Sequence, residues 1–180
     1  MGVAAMLLLG WAVGTGPTPI DSWFLRLGEA MGEWSGVFLV FTEEWVLVVT
    51  LAVLVAVVLR RRQWRLAVAT LVSPLLAIAA VQVCKRIFGR EKGGELAYPS
   101  GHSVTVVVVM GLLVVVAGGV LWAVILAVSV SALGMFGQAI TYHYFTDTIG
   151  AALLGTAVVC LVATVSGAGV VRSRHRPAST

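Results

Sequence analysis

This chain is short of charge. Twelve Lys and Arg and eight Asp and Glu make only 11% of its 180 residues, where a soluble domain carries about 25%. With 59% hydrophobic residues and a mean hydropathy of +1.02, that deficit argues against a soluble enzyme and for a membrane-embedded chain. Cysteine is also scarce. Cys84 and Cys160 both lie in apolar stretches, which speaks against a disulfide or zinc site and for buried thiols. No metal and no cofactor is expected. The first basic residue is Arg26, so the apolar start lacks the basic region of a signal peptide and is read as a retained first helix. The formal net charge of +4 comes from a few basic clusters. In a membrane protein these report topology before they report a polyanion, so nucleic acid is not an expected partner.

Apolar runs separated by polar breaks predict an all-α membrane protein: a six-transmembrane-helix bundle with an amphipathic interfacial segment after helix 1. The expected spans are residues 3–13, 36–59, 66–84, 103–117, 120–140 and 146–165, with the amphipathic segment at 17–34 and a loop at 85–98. Residues 1–171 form one transmembrane domain, and 172–180 a basic cytoplasmic tail. Basic loops prefer the cytoplasm. The Arg60-Arg61-Arg62-Gln63-Trp64-Arg65 stop and the tail fall on one side under this count, so both termini are expected inside. The 85–98 loop, with Lys85, Arg86, Arg90 and Lys92, then lies outside, where four basic residues ask for an anion.

Two polar islands stand out against this background. Pro99-Ser100-Gly101-His102 is one; His143, with Asp147 four residues on, is the other. They hold two of the three histidines and one of the two aspartates. His102 and His143 are 41 residues apart, a helical path of about 60 Å, or two membrane crossings. Gly118-Gly119 breaks that path near its middle. A hairpin of two spans therefore returns His143 to the membrane level of His102, on the face of the basic loop.

These residue types suit phosphoryl chemistry. Lys85 and Lys92, the only lysines, can neutralise phosphate oxygens. The first turn after Pro99 offers Ser100, a close backbone approach at Gly101 and free amides to an anion. On a helix, Asp147 at i+4 holds one nitrogen of His143 protonated and leaves the other free to attack. His102 can protonate the leaving oxygen.

In order along the chain, Lys85 to Lys92, Pro99-Ser100-Gly101-His102 and His143-x-x-x-Asp147 resemble the three signatures of the type 2 phosphatidic acid phosphatases. These are integral membrane lipid phosphatases related to the acid phosphatases and vanadium haloperoxidases. The resemblance implies that Lys85, Ser100 and the Gly101 amide grip phosphate, that His102 is the general acid, and that His143 is the nucleophile through a phosphohistidine. Asp147 would orient His143. It also implies a six-helix bundle acting on a lipid phosphate or polyprenyl (di)phosphate in cell-envelope metabolism. The topology above puts that site at the extracytoplasmic face, and the Ala-, Val-, Gly- and Arg-rich usage points to a bacterial plasma membrane. Two places depart from the pattern. Lys92-Gly93 replaces Arg-Pro, with Arg90 close enough to substitute. Phe136-Gly137 replaces Ser-Arg, with Gln138 the neighbouring polar group at the phosphate. The departures keep an alternative open, a catalytically degenerate lipid-phosphate-binding or assembly subunit with a protein partner or a second copy. A transporter is disfavoured, because the polar groups gather at one face instead of lining a midplane path.

Glu43 and Glu44 fall on the same expected side as the basic loop, where an interfacial salt bridge is the expected role. Tyr142 and Tyr144 suit an interfacial aromatic belt. Gly111, Gly134, Gly150 and Gly155 are expected at close helix contacts.

Overall fold

A computed structural model describes residues 1–167; the tail expected at 172–180 lies outside them. The chain runs through α1 (Gly2–Val13), α2 (Pro19–Met31), a 3₁₀ segment (Gly32–Thr42), α3 (Glu44–Arg60), α4 (Trp64–Phe88), a hairpin of β1 (Glu91–Lys92) and β2 (Glu95–Leu96), α5 (Gly101–Val116), α6 (Leu121–Ile140) and α7 (Phe145–Val165). The protein is an all-α membrane protein. Helices α4, α6 and α7 and the stretch Pro19–Arg60 are each long and apolar enough to cross a bilayer. At 12 and 16 residues, α1 and α5 reach only about 18 and 24 Å.

Helix α5 is apolar on every side and lies at the centre, in contact with α3, α4, α6 and α7. One face, Val104, Val108 and Leu112, joins Ala77 and Val81 of α4 and Ala151 and Leu154 of α7. Another, Val106, Val109 and Met110, meets Leu47 of α3 and Ala127 of α6. A helix apolar all round must be buried or face lipid; α5 is buried by its neighbours. The outer helices instead expose Val48, Val49 and Val53 on α3, Leu71 and Leu75 on α4, and Trp122, Ile125 and Val128 on α6, as a lipid-facing surface does. Glycines let α5 and α7 approach: a Cβ on Gly111 would stand 3.0 Å or less from two atoms of Val159, and one on Gly155 would stand 2.8 Å from Val107.

Three local departures from the expected elements matter. Residues 36–43 do not begin a span; the 3₁₀ segment fills 32–42, and α3 starts only after Glu43 in extended backbone. Helix α4 runs past 84 to Phe88, because Lys85 and Arg86 suit the negative end of its dipole and Gly89 ends it in the left-handed conformation. The expected loop then folds into a hairpin, pairing Glu91 with Leu96 and Lys92 with Glu95 around Gly93 and Gly94, whose φ values of 62° and 84° fit a type I′ turn.

The Arg60-Arg61-Arg62 turn lies at the end of the bundle away from this hairpin. Arg61 Nη1 donates to Val116 O (2.7 Å) at the close of α5, and the hairpin sits near its start.

Candidate functional site

A cleft of about 860 Å³ opens where α4 and α6 end and α5 and α7 begin. Lys85, Lys92, Gly101, His102 and His143 line it together, so the two polar islands share one site with both lysines of the chain. Ser100, Arg90, Gln138 and Asp147 are not among its lining residues.

Ser100 is fully buried and caps α5. Its Oγ accepts the Ser103 N–H (3.3 Å), its carbonyl accepts the Val104 N–H (3.1 Å), and its own N–H donates to Asp147 O (3.2 Å). The last bond ties the start of α5 to the first turn of α7. Because the Ser103 and Val104 amides are occupied, the first-turn amides of Gly101 and His102 remain for the cleft. A Cβ on Gly101 would meet nothing within 4 Å; the space above this turn is open.

His143 lies in the turn before α7, not on the helix face expected of an i, i+4 pair. Gln138 O gathers the amides of Thr141, Tyr142 and His143 (3.4, 3.1 and 2.8 Å). Asp147 closes the first turn of α7 by accepting the Tyr144 N–H at Oδ2 (3.0 Å). The same oxygen lies 3.8 Å from His143 Nδ1, which has no hydrogen-bond partner. That separation is about 0.6 Å beyond hydrogen-bond range, of the kind that tightens when a ligand fills a site.

Below the histidine is an ion cluster that sequence reasoning missed. Arg90 is 1% exposed. Its Nη1 donates to Asp147 Oδ1 (2.8 Å) and Thr146 Oγ1 (2.6 Å), and its Nη2 to Asp21 Oδ2 (2.8 Å) and Gly16 O (2.9 Å). Asp21 completes the cluster. Its Oδ1 accepts the Thr146 N–H (2.9 Å), and its Oδ2 accepts the Thr18 N–H (2.9 Å) in the capping box of α2. A Thr-Pro-x-Asp start is a capping signal, and Asp21 is one of only two aspartates in the chain; those were the available clues. Phe24 stacks on Phe145 at 4.2 Å, holding α2 across the start of α7. A Cβ on Gly28 would run into the Ile140 carbonyl, so glycine lets α2 reach the end of α6.

One guanidinium between two carboxylates leaves the cluster one negative charge in excess. Lys92 is a nearby cation whose charge couples to both carboxylates. Lys92 Nζ donates to Thr141 O (3.0 Å) and His143 O (2.9 Å) and leaves one N–H for the cleft. Burial pushes its ammonium below the ordinary lysine value, and the charges of Asp147 and Asp21 oppose that shift. Tyr144 is buried beneath both cations, with Arg90 Cζ 4.5 Å and Lys92 Nζ 5.3 Å from its ring centroid. Tyr142 is exposed and lines the cleft. Glu44 also lines it, but neither Glu43 nor Glu44 makes the expected salt bridge among the described residues.

Gln138 is 2% exposed, and its Nε2 donates to Thr42 Oγ1 (2.8 Å). At Gly137, where the resemblance calls for arginine, a Cβ would stand 2.7–2.9 Å from Phe38 atoms, two of them backbone. At Gly93, where it calls for proline, φ is 62°, which the pyrrolidine ring forbids. Both departures are built into the packing.

No family model matches the chain, and neither a curated protein nor a solved structure does. The functional reading therefore rests on the geometry of the cleft.

Proposed function

We propose that this protein is a membrane phosphatase acting on a lipid phosphate or polyprenyl (di)phosphate, as in the type 2 phosphatidic acid phosphatases it resembles. The observation that carries the reading is the convergence of His102, His143, Lys85, Lys92 and the open turn at Gly101 on one cleft. In this reading the six apolar spans put both termini in the cytoplasm and the cleft at the extracytoplasmic face of a bacterial plasma membrane, within reach of cell-envelope lipid carriers.

Lys85, Lys92 and the Gly101 and His102 amides hold the phosphate oxygens. His143 attacks phosphorus in line with the leaving oxygen, forming the N–P bond as the P–O bond breaks, while His102 delivers a proton to that oxygen. Water then attacks the phosphohistidine, releasing phosphate and restoring the imidazole. Asp147 keeps Nδ1 of His143 protonated, so that Nε2 carries the attacking lone pair. Arg90 and Ser100 act from behind: one fixes Asp147, the other caps the turn that presents the amides.

The second reading, a lipid-phosphate-binding or assembly subunit without turnover, is favoured by two observations. Gly137 leaves no room for an arginine, and Arg90 is committed to carboxylates. Phosphate release from a panel of phosphatidic acid, prenyl diphosphates and prenyl sugar phosphates, measured beside His143→Ala, separates the two. Release that depends on His143 supports the enzyme; saturable binding with release no faster than the variant supports the second reading.

A further inference from the structure

We infer that the headgroup this site recognises is zwitterionic, carrying an ammonium close to its phosphate; the inference rests on the phosphate reading of the main cleft. A second chamber of about 520 Å³ adjoins that cleft and shares Glu44, His102 and Tyr142 with it. The rest of the wall is Leu39, Thr42, Glu43, Trp45 and Gln138, the Trp45 indole N–H being a donor and the carboxylate and amide oxygens acceptors.

Gln138 gives this chamber its chemical sign. It is buried, its Nε2 donates to Thr42, and Thr42 Oγ1 in turn donates to Leu39 O (2.9 Å). Gln138 Oε1 accepts nothing. A buried carbonyl without a donor is a standing cost; Oε1 is closed to solvent, so a ligand that donates to it must shift the chamber wall, and in doing so removes that cost. Glu43 and Glu44 bring two carboxylates with no ion-pair partner among the described residues, and no lysine or arginine lines the chamber. Its polar side chains thus offer mainly acceptors and negative charge. The main cleft holds both lysines, with Glu44 and Glu95 also on its wall.

Lysines able to hold phosphate therefore stand beside carboxylates able to attract an ammonium, with His102 on the wall that the cleft and the chamber share. A hydroxyl headgroup would satisfy Gln138 Oε1 but leave the carboxylates unanswered; an ammonium serves both. The two glutamates are exposed, so water screens their attraction, and the directional contact falls to Gln138. His102 as general acid would then act on a leaving alcohol whose neighbouring ammonium is already seated.

The experiment compares dodecyl phosphate with its 2-hydroxy and 2-ammonio derivatives, and with dodecylammonium, by titration calorimetry in detergent. Wild type is expected to bind the 2-ammonio phosphate about tenfold or more tightly than the other two phosphates, the scale of one charge-assisted hydrogen bond. Gln138→Leu, which removes the directional acceptor, is expected to reduce that ratio to near one, and Glu43→Gln/Glu44→Gln, at exposed positions, to lower it. Equal affinities in wild type, a preference for the 2-hydroxy compound, or a ratio unchanged in either variant overturns the inference. Failure of dodecyl phosphate to bind is a separate failure, of the phosphate site. Dodecylammonium then reads the chamber alone: binding weakened in the double variant supports the ammonium site, and binding unchanged overturns it.

Discussion

Arg90 Nη1 lies 2.8 Å from Asp147 Oδ1, and neither side chain is exposed. The contact joins the hairpin arm to the first turn of α7, so the carboxylate beside His143 is fixed by a residue 57 positions earlier. Removing one member of a buried ion pair leaves an uncompensated charge, at about 3–5 kcal/mol. Arg90→Met strands two carboxylates and is expected to lower the unfolding midpoint sharply in a detergent thermal melt. Asp21→Asn leaves Arg90 paired with Asp147 and is expected to cost less. Equal effects would mean that Asp21 carries as much of the cluster as Arg90.

Gly101 is open above its backbone. Gly101→Ala is therefore expected to leave the thermal midpoint unchanged or slightly raised, since alanine is the better helix residue. The added methyl would occupy space that phosphate needs, and phosphate affinity is expected to fall about tenfold or more, a loss of about 1.4 kcal/mol. Unchanged affinity would remove this turn from the anion site.

Gly137→Arg is expected to damage the protein, not to restore activity. Its Cβ would press on the Phe38 backbone at 2.8 Å, which cannot rotate away as a side chain could. A fall in folded yield and in the thermal midpoint is the expected outcome, measured by size-exclusion profile and melt. A well-folded variant with faster phosphate release would show that the 3₁₀ segment gives way.

Lys92 yields a pH test with opposite signs for binding and stability. Its ammonium is held below the ordinary value of 10.5 by burial, so it loses its proton at lower pH than a free lysine. Phosphate affinity is expected to decline as pH rises toward 10.5 and to be flatter in Lys92→Met. Between the lowered pKa and the ordinary one the unfolded chain binds more protons than the folded chain, so this group's contribution to stability rises with pH in that window. Titrating both quantities in wild type and Lys92→Met checks the two signs together.

Much of the helical layout was legible because lipid and core burial both write long apolar runs. The same logic brought His102 and His143 together, since a hairpin of α5 and α6 returns the chain to the end of the bundle it left. Helix ends were less legible. Hydropathy marks burial, whereas the end of α4 is set by Gly89 and by the dipole's preference for Lys85 and Arg86. The 3₁₀ segment at 32–42 is apolar and has the composition of a span. Roles at the site diverged most where a residue's partner is distant. Arg90 meets Asp21 across 69 positions, and Gln138 meets Thr42 across 96, separations that leave no periodicity to read. Ser100, expected at the phosphate, serves the nearer need of capping α5.

The central claim is that His143 carries the phosphoryl group. A rapid-quench reaction with ³²P-labelled substrate, stopped in alkali and mapped by peptide, tests it most directly. The account predicts a base-stable, acid-labile label on His143 that forms and decays fast enough to account for phosphate release, and that is missing in His143→Ala together with the release. Phosphate released at the wild-type rate by His143→Ala, or a kinetically competent label on another residue, would contradict it.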